Sequence, residues 1–392
     1  MASLLLTDCD IELPSCKGFD SAVHGNGGPP FSKGGDPSMR YSMLTPNNVQ
    51  TIADNGIEVS VRGRWVRVPA LEVNGKTLIV RGRGIRMAVV HDEEWLETDL
   101  EDPELCVRKL KEHGVTGVRA DIFTFTQKTP GTPPKFAYAM EWDSVAAART
   151  TSFKEWWENL PQESRKNVRR SQKRGVIVTI KDFDDELIRG IMGVNNDSPM
   201  RQGRANIHFG KSFELVKKDQ FSFLDRSNFV CAYFNNQLVG YLKVVYRGNV
   251  ASILDLAVKA SHNDKRPANA LVAKVVELCE AKGVSYLTFG MFNHGNKRES
   301  PLREFKSRNG FAEVLTPRYY IALTRWGRFC IGAKLHRGIL GILPENMIRL
   351  GLNARLTWYN FKLSMSRRSS MAEQPKCNRQ TGCSNPPAGS ST

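Results

Sequence analysis

One acidic residue interrupts a mostly apolar segment that predicts a strand. Asp255 lies within residues 250–258. A buried carboxylate is costly unless it is paired or used, so Asp255 is a candidate general base, with a structural ion pair as the alternative. His294, in a polar segment, is a rival base. Tyr320, near the end of the last predicted strand, is a candidate hydroxyl donor to a leaving group, although an aromatic strand residue also suits core packing.

Two groups of polar and basic side chains predict contact with a substrate or an anion. A segment without periodicity concentrates donors in one long loop, and such loops are often functional; the donors are Arg201, Gln202, Arg204, His208 and Lys211. Residues 165–174 carry six basic and no acidic side chains, and on a helix they would leave Val168 and Ser171 as the inner face. From this helix we select as candidate contacts to tRNA or phospholipid phosphates Arg165, Lys166, Arg169, Arg170 and Lys173. A plain surface loop and an ordinary solvated helix remain the alternatives.

Overall charge favours a polyanionic partner. The 392 residues include 56 Lys and Arg against 40 Asp and Glu, a net charge of +16. RNA, a nucleotide cofactor and an anionic membrane face all suit this balance. The eight cysteines form no metal-binding pattern and no metal is expected, so the sequence predicts a reduced, cytoplasmic protein without a membrane-spanning helix.

Periodicity and turn residues divide the chain into five parts. Residues 1–56 and 366–392 are rich in Gly, Pro and Ser and predict a disordered arm and a disordered tail. Residues 57–150 predict hairpin strands with a turn at Asn74 and Gly75, a helix at 103–112 and strands at 120–126 and 135–142. Residues 151–324 predict a helix capped by Ser152 and a second helix from Pro161 to Arg174. From residue 176 they predict a strand, two helices, the first capped by Asp184 or Asp185, three antiparallel strands, a crossover helix, a parallel strand, a helix and two closing strands at 311–315 and 318–323. Residues 325–365 predict a basic amphipathic helical extension suited to an anionic membrane.

The order of elements from residue 176 to residue 324 resembles the GNAT acyltransferase superfamily. Three stretches, 165–175, 267–272 and 305–311, are similar to its FemAB-like branch, whose members set two GNAT-like halves side by side. The resemblance implies an α/β (α+β) fold, in which a GNAT-like mixed sheet flanked by helices is preceded by a smaller, partial GNAT-like half. It also implies that the parallel strands at 249–258 and 284–292 diverge and hold an acyl donor between them.

The resemblance also suggests which residues meet the donor. In GNAT enzymes the loop before the crossover helix presents backbone amides to the pyrophosphate of acyl-CoA. Here that loop has no glycine, and Pro267 removes one donor. FemAB-like enzymes often lack these glycines too and take aminoacyl-tRNA as donor. The implied cofactor-binding residues are Lys265, Arg266, Asn269, Ala270 and Lys306, and the loop with Arg201 would receive the acceptor.

The sequence therefore predicts an acyltransferase that moves an acyl or aminoacyl group from acyl-CoA or a charged tRNA to an amine or hydroxyl acceptor. A non-catalytic RNA- or membrane-binding protein on a degenerate GNAT scaffold is the alternative, favoured by the missing glycines. The expected location is the cytoplasm, with peripheral contact at the inner membrane face as a further expectation.

Overall fold

The computed structural model describes residues 56–338 and Thr357, except residues 62, 115, 116, 130, 132, 202, 203 and 294–299. The predicted arm up to residue 55, the predicted tail, and all of the predicted extension beyond residue 338 except Thr357 lie outside the described residues, as do His294, Gln202 and the side chain of Arg204.

The first part of the chain builds strands around one helix. The elements in order are β1 Ile57–Val61, β2 Arg64–Val68, β3 Ala70–Val73, β4 Lys76–Arg81, β5 Met87–Val90, α1 Pro103–His113, β6 Ile122–Thr126 and β7 Ala139–Arg149. A 3₁₀ turn, Glu93–Trp95, follows β5. The predicted hairpin between β3 and β4 forms because Asn74 and Gly75 adopt the positive φ angles, 47° and 67°, that a tight two-residue turn needs.

The second part alternates helices with longer strands. Its elements are α2 Phe153–Asn159, α3 Gln162–Lys173, β8 Ile177–Lys181, α4 Asp185–Asn195, β9 Met200–Arg201, β10 Arg204–Ala205, α5 Phe213–Gln220, β11 Ser227–Phe234, β12 Gln237–Arg247, β13 Val250–Val258, α6 Pro267–Ala281, β14 Tyr286–Met291, α7 Pro301–Arg308, β15 Ala312–Ala322 and α8 Arg325–Gly332. The predicted caps hold: the Ser152 hydroxyl accepts from the Glu155 amide, and the Asp184 carboxylate accepts from the Leu187 amide. None of the helices in the described part is long and apolar enough to cross a membrane.

One mixed sheet of eleven strands joins both parts, in the order β3-β4-β5-β6-β15-β7-β14-β13-β12-β11-β8. The boundary predicted at residue 150 falls between β7 and α2, and the sheet is continuous across it because β7 pairs with both β15 and β14. The core on one face of the second part includes residues of α2, α3 and α6, and that on the other face residues of α4 and α5. The fold class is therefore the α/β sheet flanked by helices that the sequence predicts.

Two predicted strand boundaries are wrong, in β7 and β15, which pair with each other where the two parts of the chain meet in the sheet. The strand expected at 135–142 begins only at Ala139 and runs to Arg149. The two closing strands expected at 311–315 and 318–323 are one strand, β15, which passes through Pro317. The Pro317 carbonyl accepts from the Gln127 amide beyond the end of β6. The N–H that Pro317 lacks would also face β6, but the pairing of β15 with β6 starts only at Arg318 opposite Thr126. The missing donor therefore costs little, and the strand continues through Pro317.

Candidate functional site

The parallel strands β13 and β14 separate soon after they meet. They pair only from Val250 opposite Tyr286 to Ser252 opposite Thr288, where the two side-chain hydroxyls lie 2.5 Å apart. β13 then continues to Val258 and β14 to Met291 without pairing to each other. The gap that the sequence predicts between these strands is therefore present.

A cavity of about 360 Å³, called here the cleft cavity, opens beside this gap. Much of its wall is apolar, formed by β13, β14, the start of α6 and α7, whereas the segment after α4 adds polar groups. Its lining residues include Leu256, Val258, Ala268, Phe289, Leu302, Phe305, Asp197 and Arg201. An apolar slot with a few polar groups at its rim suits an acyl chain or the apolar arm of a thioester.

The loop that enters α6 already holds a carboxylate. Asp197 accepts from the backbone amides of Ala260 (2.6 Å) and Ser261 (3.3 Å) and from the Ser261 hydroxyl (2.7 Å). Burial alone would raise the pKa of Asp197, but these hydrogen bonds outweigh it and lower the pKa. Donor phosphates would therefore have to be met by side chains of this loop rather than by these two amides.

Two of the predicted cofactor-binding residues, Lys265 and Arg266, lie in this loop. The Lys265 Nζ atom lies 4.8 Å from the centre of the Phe234 ring and 3.3 Å from the Asp264 carboxylate. Arg266 is exposed and takes a left-handed conformation (φ 57°) at the N-cap of α6. Neither residue lines the cleft cavity, but Asn263 of the same loop does.

The other predicted cofactor-binding residues are buried on α6 and α7. The Asn269 amide donates to the Asn309 side chain at 2.9 Å and so links the two helices. Ala270 is buried away from the cleft cavity. Lys306 is 1% exposed, its Nζ donates to the Met291 carbonyl at 2.7 Å, and burial lowers its pKa to about 8. It lies 4.7 Å from the centre of the Phe289 ring, a wall of the cleft cavity, so Lys306 lies directly behind the cavity wall.

Asp255 belongs to a buried polar network and does not line the cleft cavity. Its carboxylate accepts from the Tyr241 hydroxyl at 2.7 Å and the Gln220 amide at 3.2 Å. Burial and this carboxylate raise the pKa of Tyr241 well above its usual value. Lys243 pairs opposite Asp255 in the sheet and donates to the Gln220 carbonyl. These contacts support the alternative that the sequence left open, a structural role for Asp255.

The predicted acceptor loop divides between two places. Arg201 lines the cleft cavity, and its Nη2 lies 3.5 Å from the Val258 carbonyl. His208 and Lys211 turn instead toward the buried Asp219, with nitrogen-to-oxygen distances of 3.8 and 2.5 Å. Asp219 also accepts from the Trp65 indole at 3.0 Å, so this cluster ties the β1–β2 hairpin to α5.

Tyr320 lies on β15 and lines none of the cavities described here. Its ring lies 4.5 Å from that of His336, which follows α8. Burial raises its pKa above the usual value for tyrosine. Among the predicted catalytic residues, the structure thus brings neither Asp255 nor Tyr320 to the cleft cavity.

The basic residues of α3 surround its outer face, with Ser164, Val168 and Ser171 buried as the inner face. Lys166, Arg169 and Lys173 are exposed, whereas Arg165 and Arg170 are half-buried. The Arg169 guanidinium lies 5.5 Å from the centre of the Trp157 ring. Both residues line a groove of about 480 Å³ between α2, α3, β8 and α6. Although it is larger than the cleft cavity, this groove lies away from the strand gap.

A second, smaller cavity lies on the other side of the same strand gap, and no sequence pattern predicted it. This polar cavity, of about 60 Å³, is lined by Ser252 of β13, by Thr288 and Gly290 of β14, and by charged or polar residues from distant segments, including Glu94, Lys128, Asp143, Arg247, Thr316 and Arg318. Thr288 of this lining directly precedes Phe289 of the cleft cavity, and successive strand residues face opposite sides of a sheet. The two cavities therefore flank one opening in the sheet.

Ion pairs fix the wall of the polar cavity. Arg318, 6% exposed, donates from Nε to Asp143 at 2.5 Å and from Nη2 to Glu93 at 3.2 Å. Glu93 also accepts from the Thr126 amide, and the Lys128 ammonium donates to the Glu93 carbonyl. Burial lowers the pKa of Lys128 to about 8. The paired acids Glu93 and Glu94 after β5 were the available sequence signal, but nothing local shows that they meet β12 and β15.

No group of three or more potential metal-ligating side chains occurs within the residues that the structure describes.

Comparisons with known proteins concern the second part of the chain and the fold. Residues 206–299, about a quarter of the 392, match the model of the Acetyltransferase (GNAT) family. No curated protein sequence matches the chain.

Three solved structures are similar over about two thirds of the chain. The C-terminal domain of a protein described as a lysylphosphatidylglycerol synthetase from Agrobacterium fabrum is 13% identical, with 66% of this chain and 85% of that chain covered and a TM-score of 0.45. L-PGS from Bacillus licheniformis is 12% identical, with 68% of this chain and 86% of that chain covered and a TM-score of 0.45. FemX is 9% identical, with 68% of this chain and 88% of that chain covered and a TM-score of 0.47. The family match and the observed strand order indicate a GNAT-like fold for this part of the chain.

Proposed function

We propose that the protein transfers an acyl or aminoacyl group from acyl-CoA or a charged tRNA to an amine or hydroxyl acceptor, and that it belongs to the FemAB-like branch. The observation that carries the proposal is the gap between β13 and β14, which ends their pairing at Ser252 and Thr288 beside the cleft cavity. A reactive carbonyl inserted there would meet backbone groups of β13 and β14 that no longer pair with each other.

The cleft cavity fits the apolar part of a thioester better than its phosphates. Leu256, Val258 and Phe289 provide apolar surface, whereas Asp197 occupies two amides at the entrance. Lys265 and Arg266 remain in the same loop as cations for a phosphate. A charged tRNA would place only its short aminoacyl end in the gap, so the same geometry serves either donor.

Ligand binding to the folded state tests the donor. We expect acetyl-CoA, or a charged tRNA, to raise the melting temperature, because a ligand at 100 times its Kd stabilises the folded state by about 2.7 kcal/mol. Ala268→Trp should abolish this shift by filling the cleft cavity, which Ala268 lines. Differential scanning fluorimetry measures both effects.

A matched control lies on the same helix. Ala281, at the last turn of α6, is exposed and lines none of the three cavities described here, so Ala281→Trp should keep the full ligand-induced shift. If neither donor shifts the melting temperature of the wild-type protein, or if Ala268→Trp shifts like the control, the donor site is elsewhere and the proposal fails.

A second candidate function, RNA binding without catalysis, rests on α3. Among its exposed cations, Arg169 lies over the Trp157 ring. Cations beside an aromatic ring form an arrangement that binds nucleic-acid phosphates and bases. Replacing Arg169, Arg170 and Lys173 by alanine should reduce the steepness of log affinity against log salt by roughly 2 if each contacts a phosphate of single-stranded RNA. Fluorescence anisotropy at several salt concentrations measures the slope. An unchanged slope would show that RNA does not bind to this face of α3.

We also propose a cytoplasmic location with peripheral membrane contact. The four cysteines in the described part, Cys106, Cys231, Cys279 and Cys330, are buried and unpaired, as suits a reducing compartment. On α8, Trp326 and Phe329 are 47% and 59% exposed and stack on each other between exposed arginines. Aromatic rings among cations suit an anionic lipid surface.

A further inference from the structure

The polar cavity contains buried polar atoms that no described group satisfies. Arg247 is 8% exposed and Thr316 is 1% exposed, and both line the cavity. Among the described residues, the Arg247 Nε and the Thr316 Oγ1 have no hydrogen-bond partner. Buried polar groups are almost always paired, and leaving one unpaired costs about 1–3 kcal/mol. Two such atoms in one small cavity indicate that a bound molecule or water completes them.

A third polar group in the wall is an acid without a hydrogen-bond or ion-pair partner among the described residues. Glu94 is half-buried, in the 3₁₀ turn Glu93–Trp95, and lines the cavity. Burial raises its pKa to about 7, and the Arg247 charge opposes that rise only in part. The carboxyl group therefore exchanges a proton near neutral pH.

The unpartnered groups define what a ligand must carry. The Arg247 Nε needs a hydrogen-bond acceptor, which an anionic or carbonyl oxygen supplies best. Glu94 needs a donor such as an ammonium group. The remaining charges are already paired: Arg318 binds Asp143 and Glu93. A volume of about 60 Å³ suits the small polar end of a molecule and excludes a whole nucleotide cofactor.

We propose that the polar cavity binds the acceptor of the acyl group, that this acceptor carries a primary amine beside a carboxylate or carbonyl oxygen, as an amino acid does, and that Glu94 takes the proton of the amine. The assignment of an acceptor rests on the proposed function, because the donor carbonyl must lie in the neighbouring gap between β13 and β14. The oxygen of the acceptor would bind the Arg247 Nε and the Thr316 hydroxyl.

The chemistry balances with these groups. The acceptor arrives as an ammonium ion and gives one proton to the Glu94 carboxylate. The free amine attacks the thioester carbonyl carbon, the C–N bond forms and the C–S bond breaks. The nitrogen loses its second proton to the leaving thiolate, and Glu94 releases the first to water. The products are an amide, a thiol and one proton.

Charged groups from several elements surround Glu94. They are Arg247 on β12, Arg318 on β15, Asp143 on β7, Lys306 on α7, Lys128 after β6, and Glu93 in the same turn. The cations among them keep the carboxylate accessible at neutral pH, whereas Glu93 and the burial oppose its ionisation.

Glycine is the smallest probe that carries both groups, and isothermal titration calorimetry on the full chain tests its binding. We expect glycine to bind, and methylamine and acetate, which each carry one group, to bind at least tenfold more weakly. Thr316→Val, nearly the same shape without the hydroxyl, and Arg247→Met should each weaken glycine binding at least tenfold. Arg328→Ala, an exposed arginine on α8, should leave it unchanged.

The outcomes separate this inference from the proposed function. If glycine fails to bind to the wild-type protein, or binds equally to Thr316→Val, the acceptor site is overturned. Acetyl-CoA is titrated into the same samples: its binding without glycine binding leaves the donor proposal standing alone. Glycine binding that depends on Thr316 but occurs without any donor binding would keep the cavity as a ligand site and remove the acyl transfer.

Discussion

Replacing Arg318 by alanine is expected to lower the free energy of unfolding by about 3–5 kcal/mol, because it leaves buried charges without their partner. Arg318 is 6% exposed and holds Asp143 at 2.5 Å and Glu93 at 3.2 Å. These contacts join β15, β7 and the 3₁₀ turn after β5, which are far apart in sequence. Urea denaturation followed by tryptophan fluorescence measures the loss.

Arg328→Ala on α8 is a control for this variant. Because the Arg328 side chain is exposed, its loss should change the free energy of unfolding by no more than about 0.5 kcal/mol. A loss of less than about 1 kcal/mol for Arg318→Ala would mean that Asp143 and Glu93 do not depend on the guanidinium. In that case the ion pairs would not be what holds the wall of the polar cavity in place.

Glu94→Gln is expected to lower the rate of acyl transfer by about 10²–10⁴-fold, because general-base catalysis contributes that much. The raised pKa of Glu94, about 7, gives the sign of the pH dependence. Below that pH the carboxyl group is protonated and takes no proton from the amine, so the wild-type rate should rise as the pH passes through about 7. The glutamine side chain does not ionise, so the rate of the variant should not rise as the pH passes through about 7.

Thiol release from acetyl-CoA in the presence of glycine, measured between acid and alkaline pH, follows both effects. Glu97→Gln provides a matched control, because Glu97 is an exposed acid three residues away that lines none of the cavities described here. A Glu94→Gln variant that keeps the wild-type rate and the rise of that rate with pH would show that another group accepts the proton. Retained glycine binding in that variant would place the fault in the catalytic role alone.

Local signals were sufficient for most elements of the fold. Alternating apolar residues, the turn at Asn74 and Gly75, and the caps at Ser152 and Asp184 each act within a few residues, so sequence reasoning placed those strands and helices. The errors lie at the junction, where β7 and β15 acquire their lengths from pairing with each other. Pro317 favours a break by its own chemistry, and only the position of β6 shows why the strand continues.

The sequence by itself determined that the chain forms a mixed sheet with a crossover helix between two parallel strands, since periodicity and turns are local properties. The gap where those strands diverge was implied only by the resemblance to the GNAT superfamily. Only the tertiary structure decided which charged residues surround that gap. Glu94, Arg247 and Arg318 are more than 60 residues apart in the chain, and their meeting depends on the register of β12 and β15 in one sheet. A carboxylate such as Asp255 looks reactive in sequence, but the burial and hydrogen bonding that set its role arise from Tyr241 and Gln220, which only folding brings to it.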